Sequence, residues 1–185
     1  MNFAKIDVLK EQLQAASPLS ETELRRLCNE FIIENTYNSN AIEGNTLTLR
    51  ETALILQENI TVGGKPLKEH LEAVGHRDAF AYVMTLADEN ADLTERVIKE
   101  LHSLVLMNDS MHKGKYRDVP VVIAGAARTP PNPVIVPEQM ERLMAEYPSI
   151  KQNKHIIEAA AEFHLRFEEI HPFIDGNGRT GRLIM

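Results

Sequence analysis

Residues 171–182 read HPFIDGNGRTGR, and the path of the chain through this stretch decides the fold around it. Pro172 disfavours the helical region for the residue before it, so a helix arriving from upstream stops near His171. Ile174 to Asn177 then form a loop, in which Gly176 and Gly178 permit positive φ and close approach to a ligand. A second helix is expected from about Gly178, its unpaired N–H groups and dipole facing the loop as a place for phosphate oxygens. Arg179 and Arg182 stand three apart, on one face of that helix, and are expected to reach the same anion. Asp175 offers a hard oxygen ligand, suited to Mg²⁺ held by one carboxylate plus substrate phosphates. His171 completes the set, since histidine is the side chain best matched to general-base work at neutral pH.

Working outward, residues 153–170 (NKHIIEAAAEFHLRFEEI) place Ile156, Ala159, Ala160, Phe163, Phe167 and Ile170 at helical spacing, an amphipathic helix on a core. Further upstream the pattern stays helical. Residues 3–16 predict a first helix ended by Ser17-Pro18, and Ser20 an N-cap for a second over 21–35, with Glu21 and Glu23 in its first turn. Cys28 falls in the pattern of Leu24, Leu27 and Phe31 and reads as a core thiol. A break follows around Asn38–Thr48, then a short helix over 49–57, a turn at 61–66 (TVGGKP) and a long helix over 67–87. In that long helix Leu71, Val74, Ala79, Tyr82, Val83 and Leu86 supply the apolar positions. Asp92 or Thr94 caps the next helix, which runs to about Met107.

Residues 113–136 (KGKYRDVPVVIAGAARTPPNPVIV) change character, and Val121-Val122-Ile123 is the best strand in the chain. A small β-hairpin or flap is expected there. Pro137-Glu138 then opens a helix to about Tyr147. The fold class is therefore mainly α, a helical bundle with one small β element, and the absence of repeats or linkers makes residues 1–185 one domain.

Bulk properties exclude several functions. With 185 residues the chain is long enough for a substantial core, and 43% of it is hydrophobic. A net charge of −7 and the lack of a basic run disfavour nucleic acid as a partner. No apolar run approaches membrane-spanning length, the N-terminus lacks a signal-peptide core, and the single cysteine forms no internal disulfide; a cytoplasmic location is expected. His155, His164 and His171 are spaced nine and seven apart, and His70 and His76 also miss the i, i+4 spacing of a helical zinc pair. No GxxxxGK(S/T) loop is present, so this is not a P-loop enzyme.

The segment 171–182 matches, position by position, the pattern HPFx(D/E)GNGRxxR, and the chain resembles the Fic family over about residues 35–185. Gly114, Lys115, Tyr116 and Arg117 resemble the family's GxYR-type start of a flap, here about 113–128, and Pro130-Pro131 follow it. The resemblance implies transfer of AMP from ATP, with Mg²⁺, to a Ser, Thr or Tyr hydroxyl of a protein target docked by strand addition at the flap. His171 is then the base and Asp175 the metal ligand. Gly176, Asn177 and Gly178 form the anion hole through their backbone N–H groups, supported by the Asn177 side chain. Arg179 holds the β/γ region and Arg182 the γ-phosphate, while Phe173 anchors the loop in the core. The family's last helix is longer than this chain provides after Arg182, so a shortened C-terminal helix is expected.

Residues 39–44 read SNAIEG and resemble the inhibitory pattern (S/T)xxxE(G/N) of the family, with Ser39 and Glu43 as its defining pair. An inhibitory helix over about 36–44 is implied, in which Glu43 pairs with Arg182 and takes the guanidinium that would hold the γ-phosphate. Ser39 bonds within that helix or to the motif, and sequence leaves both open. Removal of AMP from a modified protein, with Glu43 positioning the water, is the alternative chemistry. Transfer of another nucleotide, a regulatory module locked by Glu43, and a homodimer also stay open.

Overall fold

The computed structural model describes residues 3–16, 19–123, 125 and 129–185. Helix α1 spans Ala4–Ala15, α2 Glu21–Ile42, α3 Leu49–Glu58, α4 Leu67–Asp88 and α5 Glu95–Val105. A 3-10 turn at Pro133–Ile135 leads into α6, Val136–Asn153, followed by α7, Ile156–Ile170, and α8, Asn177–Ile184. Local chemistry starts several of these. Ser20 and Thr48 close reciprocal capping boxes with Glu23 and Glu51 at the heads of α2 and α3, and Thr94 caps α5.

The core has three parts. Ile98, Val136, Met140, Leu143, Phe163, Phe167, Ile170 and Phe173 join α5, α6, α7 and the loop after α7. Ala79, Val97, Leu101, Val105 and Leu183 join α4, α5 and α8, while Leu47, Ile55 and Ala73 seat α3 on α4. Gly75 lets α4 and α5 touch closely, since a Cβ there would lie 2.3 Å from the Leu104 carbonyl oxygen. Short α8 packs on α2, α4, α5 and α7 at once, so its N-terminal turn is fixed from four sides.

Several expectations need correction. The second helix does not end at 35: α2 runs unbroken to Ile42, so residues 38–42 of the segment read as a break, and most of the inhibitory helix, are the last turns of one long helix, while residues 43–48 do separate it from α3. The reason is that Thr36, Ser39 and Asn40 are buried and make tertiary hydrogen bonds, which hydrophobic periodicity does not register. Thr36 Oγ1 meets His76 Nδ1 at 3.0 Å, and Asn40 Nδ2 donates to the Glu72 carbonyl at 3.4 Å.

The first half of α2 instead stands out from the bundle. Cys28 is exposed with Leu24, Leu27 and Phe31, not a core thiol. On α7 the buried stripe is Ala159, Phe163, Phe167 and Ile170, and Ile156 is exposed. Helix α6 continues past Tyr147 through Pro148. Among the described residues no strand forms: Val121–Ile123 is irregular and Val122 exposed. Ala124 and Ala126–Arg128 of the expected flap, and Ser17-Pro18 after the first helix, lie outside the described residues.

Candidate active site

Helix α7 ends as Pro172 requires. His171 takes the left-handed conformation, φ 49° and ψ 62°, and its N–H closes the helix on the Phe167 carbonyl at 2.9 Å. For a residue with a Cβ this backbone is strained, and such strain persists only where the surroundings hold it. Arg117 does the holding. Its side chain, 4% exposed, donates to the carbonyls of His171 at 2.8 Å, Pro131 at 2.7 Å and, at longer range, Val119 and Ile170. Its backbone N–H reaches the Pro172 carbonyl at 2.9 Å. Burial lowers the pKa of this guanidinium, which remains charged and neutralises the exposed carbonyl end of α7.

Phe173 is fully buried and stacks on His102, with ring centroids 3.6 Å apart and planes within 2°. The Asn177 side chain braces the loop from within. Its Oδ1 accepts from Phe173 N–H and its Nδ2 donates to the Phe173 carbonyl, both at 2.8 Å. That pair of hydrogen bonds clasps the loop shut. His102 buttresses it from α5: Gly114 N–H donates to Nδ1 at 2.9 Å, so Nε2 carries the proton and donates to the Asp175 carbonyl at 2.9 Å. Burial pushes this imidazole down to about 4, and it stays neutral.

Gly176 caps α8 at φ 77°, and α8 begins at Asn177, one residue earlier than expected. Asp175 is half-exposed; its Oδ1 accepts from Gly176 N–H at 2.6 Å and lies 3.3 Å from Arg179 Nη2. Arg179 is 2% exposed, with Glu72 of α4 at 3.6 Å on its other side. Arg182 points elsewhere, to the end of α2. Its Nη2 donates to Glu43 Oε1 at 2.6 Å and to the Ser39 carbonyl at 3.0 Å, and its Nε donates to Ser39 Oγ at 3.0 Å. The two arginines therefore share a helix face but face different acids, and do not converge on one point.

The Glu43 carboxylate also stands at the head of α8. A Cβ added to Gly178 would lie 2.6 Å from Glu43 Oε1 and 2.9 Å from Arg182 Nη1. An anionic oxygen thus sits where the helix dipole and free N–H groups favour one. Behind it His76, buried beside Arg179 and Arg182, is pushed down to about 4, by burial first and these two cations second.

Glu72, His102 and Glu168, which sequence does not single out, and His76, which it weighs only as a zinc ligand, are all set around the loop and its arginines. His102 shares the apolar face of α5 with Ile98, Leu101 and Val105, which was the available signal. A cavity of about 690 Å³ lined by Val83, Leu101, Met144 and Leu183 lies off the motif and contains none of its residues 171–182. No helix is long and apolar enough to cross a membrane among the described residues.

A loop of this build, leaving α7 through HPF and opening α8 with GNGR, sets a glycine-capped helix N-terminus beside two arginines in a helical bundle. The Fic/DOC family pattern matches residues 92–185, and the chain belongs to that family. It is 37% identical over 187 aligned positions to the protein adenylyltransferase Fic of Nematostella vectensis, covering 98% of this chain and 42% of that relative. The Drosophila melanogaster protein of the same name is 36% identical, with 98% and 37% covered. The chain thus spans about two-fifths of the length of these relatives. A Fic domain containing signaling protein from Bacteroides thetaiotaomicron superposes with a TM-score of 0.87 at 35% identity, over 97% of this chain and 69% of the other. For Fic-1 from C. elegans (aa134–508) the TM-score is 0.83 at 30% identity, over 98% and 54%.

Proposed function

We propose that this chain is an autoinhibited protein adenylyltransferase, transferring AMP from ATP to a hydroxyl side chain of a protein target. The observation that carries this reading is Glu43: its carboxylate stands over Gly178 at the head of α8 and ties up Arg182. An acid placed there mimics and blocks a phosphate. His171 takes the proton of the target hydroxyl as that oxygen bonds to the α-phosphorus, and the bond from the α-phosphorus to the pyrophosphate oxygen breaks. Backbone N–H groups of Asn177 and Gly178 face the phosphates, the Gly176 N–H being taken by Asp175 Oδ1, and Arg182, once free of Glu43, holds the γ-phosphate. Arg179 acts from its buried place behind Asp175, holding that carboxylate and adding positive potential to the β/γ region.

The residues present suit Mg²⁺ of the one-carboxylate kind. Asp175 is half-exposed, and no group of three or more His, Cys, Asp or Glu gathers as a metal cage among the described residues. Bound at Asp175, Mg²⁺ would offset charge on the departing pyrophosphate. The exposed stretch around Val122 offers backbone to an incoming target segment, and the flap becomes a strand when that segment pairs with it.

The test is incubation with Mg²⁺ and ATP labelled at the α-phosphate. Wild type should label protein weakly, Glu43→Gly strongly, and Glu43→Gly combined with His171→Ala not at all. Equal labelling with and without His171 removes it from the base role. Silence from every form, with release of AMP from a modified protein that requires Glu43, would establish the reverse, hydrolytic chemistry instead.

A further inference from the structure

Glu168 stands on α7 one turn before His171, and its Oε2 lies 3.6 Å from His171 Nδ1. That nitrogen is enclosed and finds no hydrogen-bond partner among the described residues. A buried polar atom left in this state is costly, so an acceptor this close has a reason to close on it. The other carboxylate oxygen, Oε1, is equally enclosed and unpartnered, as is His164 Nδ1. Both lie within 3.0 Å of the point where a Gly181 side chain would begin, Oε1 at 2.7 Å and the His164 nitrogen at 3.0 Å. The carboxylate is therefore lodged between two imidazoles, in space that a glycine on α8 leaves open.

We propose that Glu168 is the positioning residue of the catalytic histidine. It accepts a hydrogen bond from Nδ1–H of His171 and so fixes the tautomer whose Nε2 carries the lone pair. At 3.6 Å the contact is slightly longer than a hydrogen bond, and a small side-chain adjustment brings it into range. The same carboxylate then faces the imidazolium that forms when Nε2 takes the hydroxyl proton. His164 flanks the carboxylate on its other side, near Oε1, in the space beside Gly181. The division of labour is that of a base oriented by a third group, and it rests on His171 being the base.

The proposal separates Glu168 from a merely solvated helix acid through two substitutions. Glu168→Gln keeps an amide oxygen that can accept from Nδ1–H, whereas Glu168→Ala removes the acceptor. Nitrogen NMR of the His171 ring, on ¹⁵N-labelled protein in the Glu43→Gly background, reads the tautomer without reference to activity. The expected result is an Nδ1–H ring before substitution and with Gln, and a mixed or Nε2–H ring with Ala. Labelling should fall about 10- to 100-fold in kcat for Ala and much less for Gln, with KM for ATP within about twofold. Gly181→Ala provides a second route, because it pushes on the carboxylate oxygen while leaving every ionisable group in place; it should move the tautomer in the same direction. An unchanged Nδ1–H ring in both Glu168→Ala and Gly181→Ala overturns the proposal. A tautomer that shifts in a protein that never transfers AMP upholds the positioning and instead overturns the transferase reading.

Discussion

Replacing Glu43 should strengthen ATP binding by an amount the geometry sets. Arg182 is held by three contacts to the end of α2, one of them an ion pair at 2.6 Å to Glu43 Oε1. A hydrogen bond between charged groups contributes roughly 1.5–3 kcal/mol when shielded. Here the two side chains are 25% and 36% exposed, so solvent screening argues for the low end. About 1.5 kcal/mol corresponds to roughly a tenfold tighter Kd. Glu43→Gln should yield less than Glu43→Gly, because Gln removes the charge but still crowds the head of α8 above Gly178. Adding Ser39→Ala to Glu43→Gly releases the hydroxyl contact, a further ~1 kcal/mol or about fivefold, while the Ser39 carbonyl still holds Nη2. Calorimetric titration with Mg²⁺ and a non-hydrolysable ATP analogue measures all four proteins. If both Glu43 variants bind within twofold of wild type, Glu43 does not compete with the phosphates and the brake is misassigned.

Other expectations follow from single contacts. Asn177→Ala strands the buried N–H and carbonyl of Phe173; it should cost about 2–4 kcal/mol and lower Tm by several degrees in a calorimetric scan. Acid should weaken the fold before it titrates most carboxylates. His76 and His102 sit near 4 when folded and near 6.5 when unfolded, so the unfolded chain binds more protons between those values. Stability is fully present above about pH 6.5 and declines towards pH 4, by about 3 kcal/mol per histidine, which denaturant titrations across that window would reveal. His171→Gly relieves a left-handed residue and should raise stability by up to about 1 kcal/mol while eliminating transfer. A lower Tm for that variant would mean the His171 side chain contributes more packing than its backbone costs.

Much of the site was legible because its signals are local. Proline after His171, glycine at 176 and 178, and charges three apart on α8 act within a few residues, and the helices and loop follow from them. What sequence did not reveal depends on long-range polar pairing. Helix α2 looked broken at Asn38 because Thr36, Ser39 and Asn40 are polar, yet they face His76, Glu72 and Arg182 and are as buried as any leucine. Cys28 is misplaced for a different reason: its apolar periodicity with Leu24, Leu27 and Phe31 stays exposed, although Phe80 of α4 meets Phe31 edge-on. Arg179 and Arg182 were correctly set on one face, but which acid each meets depends on α4 and α2, far away in the chain. Val121–Ile123 has strand composition but no partner strand among the described residues, and composition alone forms no ladder.

The clasp of Asn177 on Phe173 has a thermodynamic consequence. Together with His102 on the Asp175 carbonyl and Arg117 on the His171 carbonyl, it freezes residues 171–177 before any ligand arrives. Ordering a residue's backbone costs roughly 1–2 kcal/mol, so about ten kcal/mol of chain entropy is lost at folding rather than at binding. A mobile loop of the same composition would give up that freedom each time a phosphate docked, and its affinity would fall accordingly. The rigid loop leaves a ligand's interaction energy available for discrimination and chemistry, and under the proposed autoinhibition it leaves restraint to come from outside the loop, through a carboxylate on another helix.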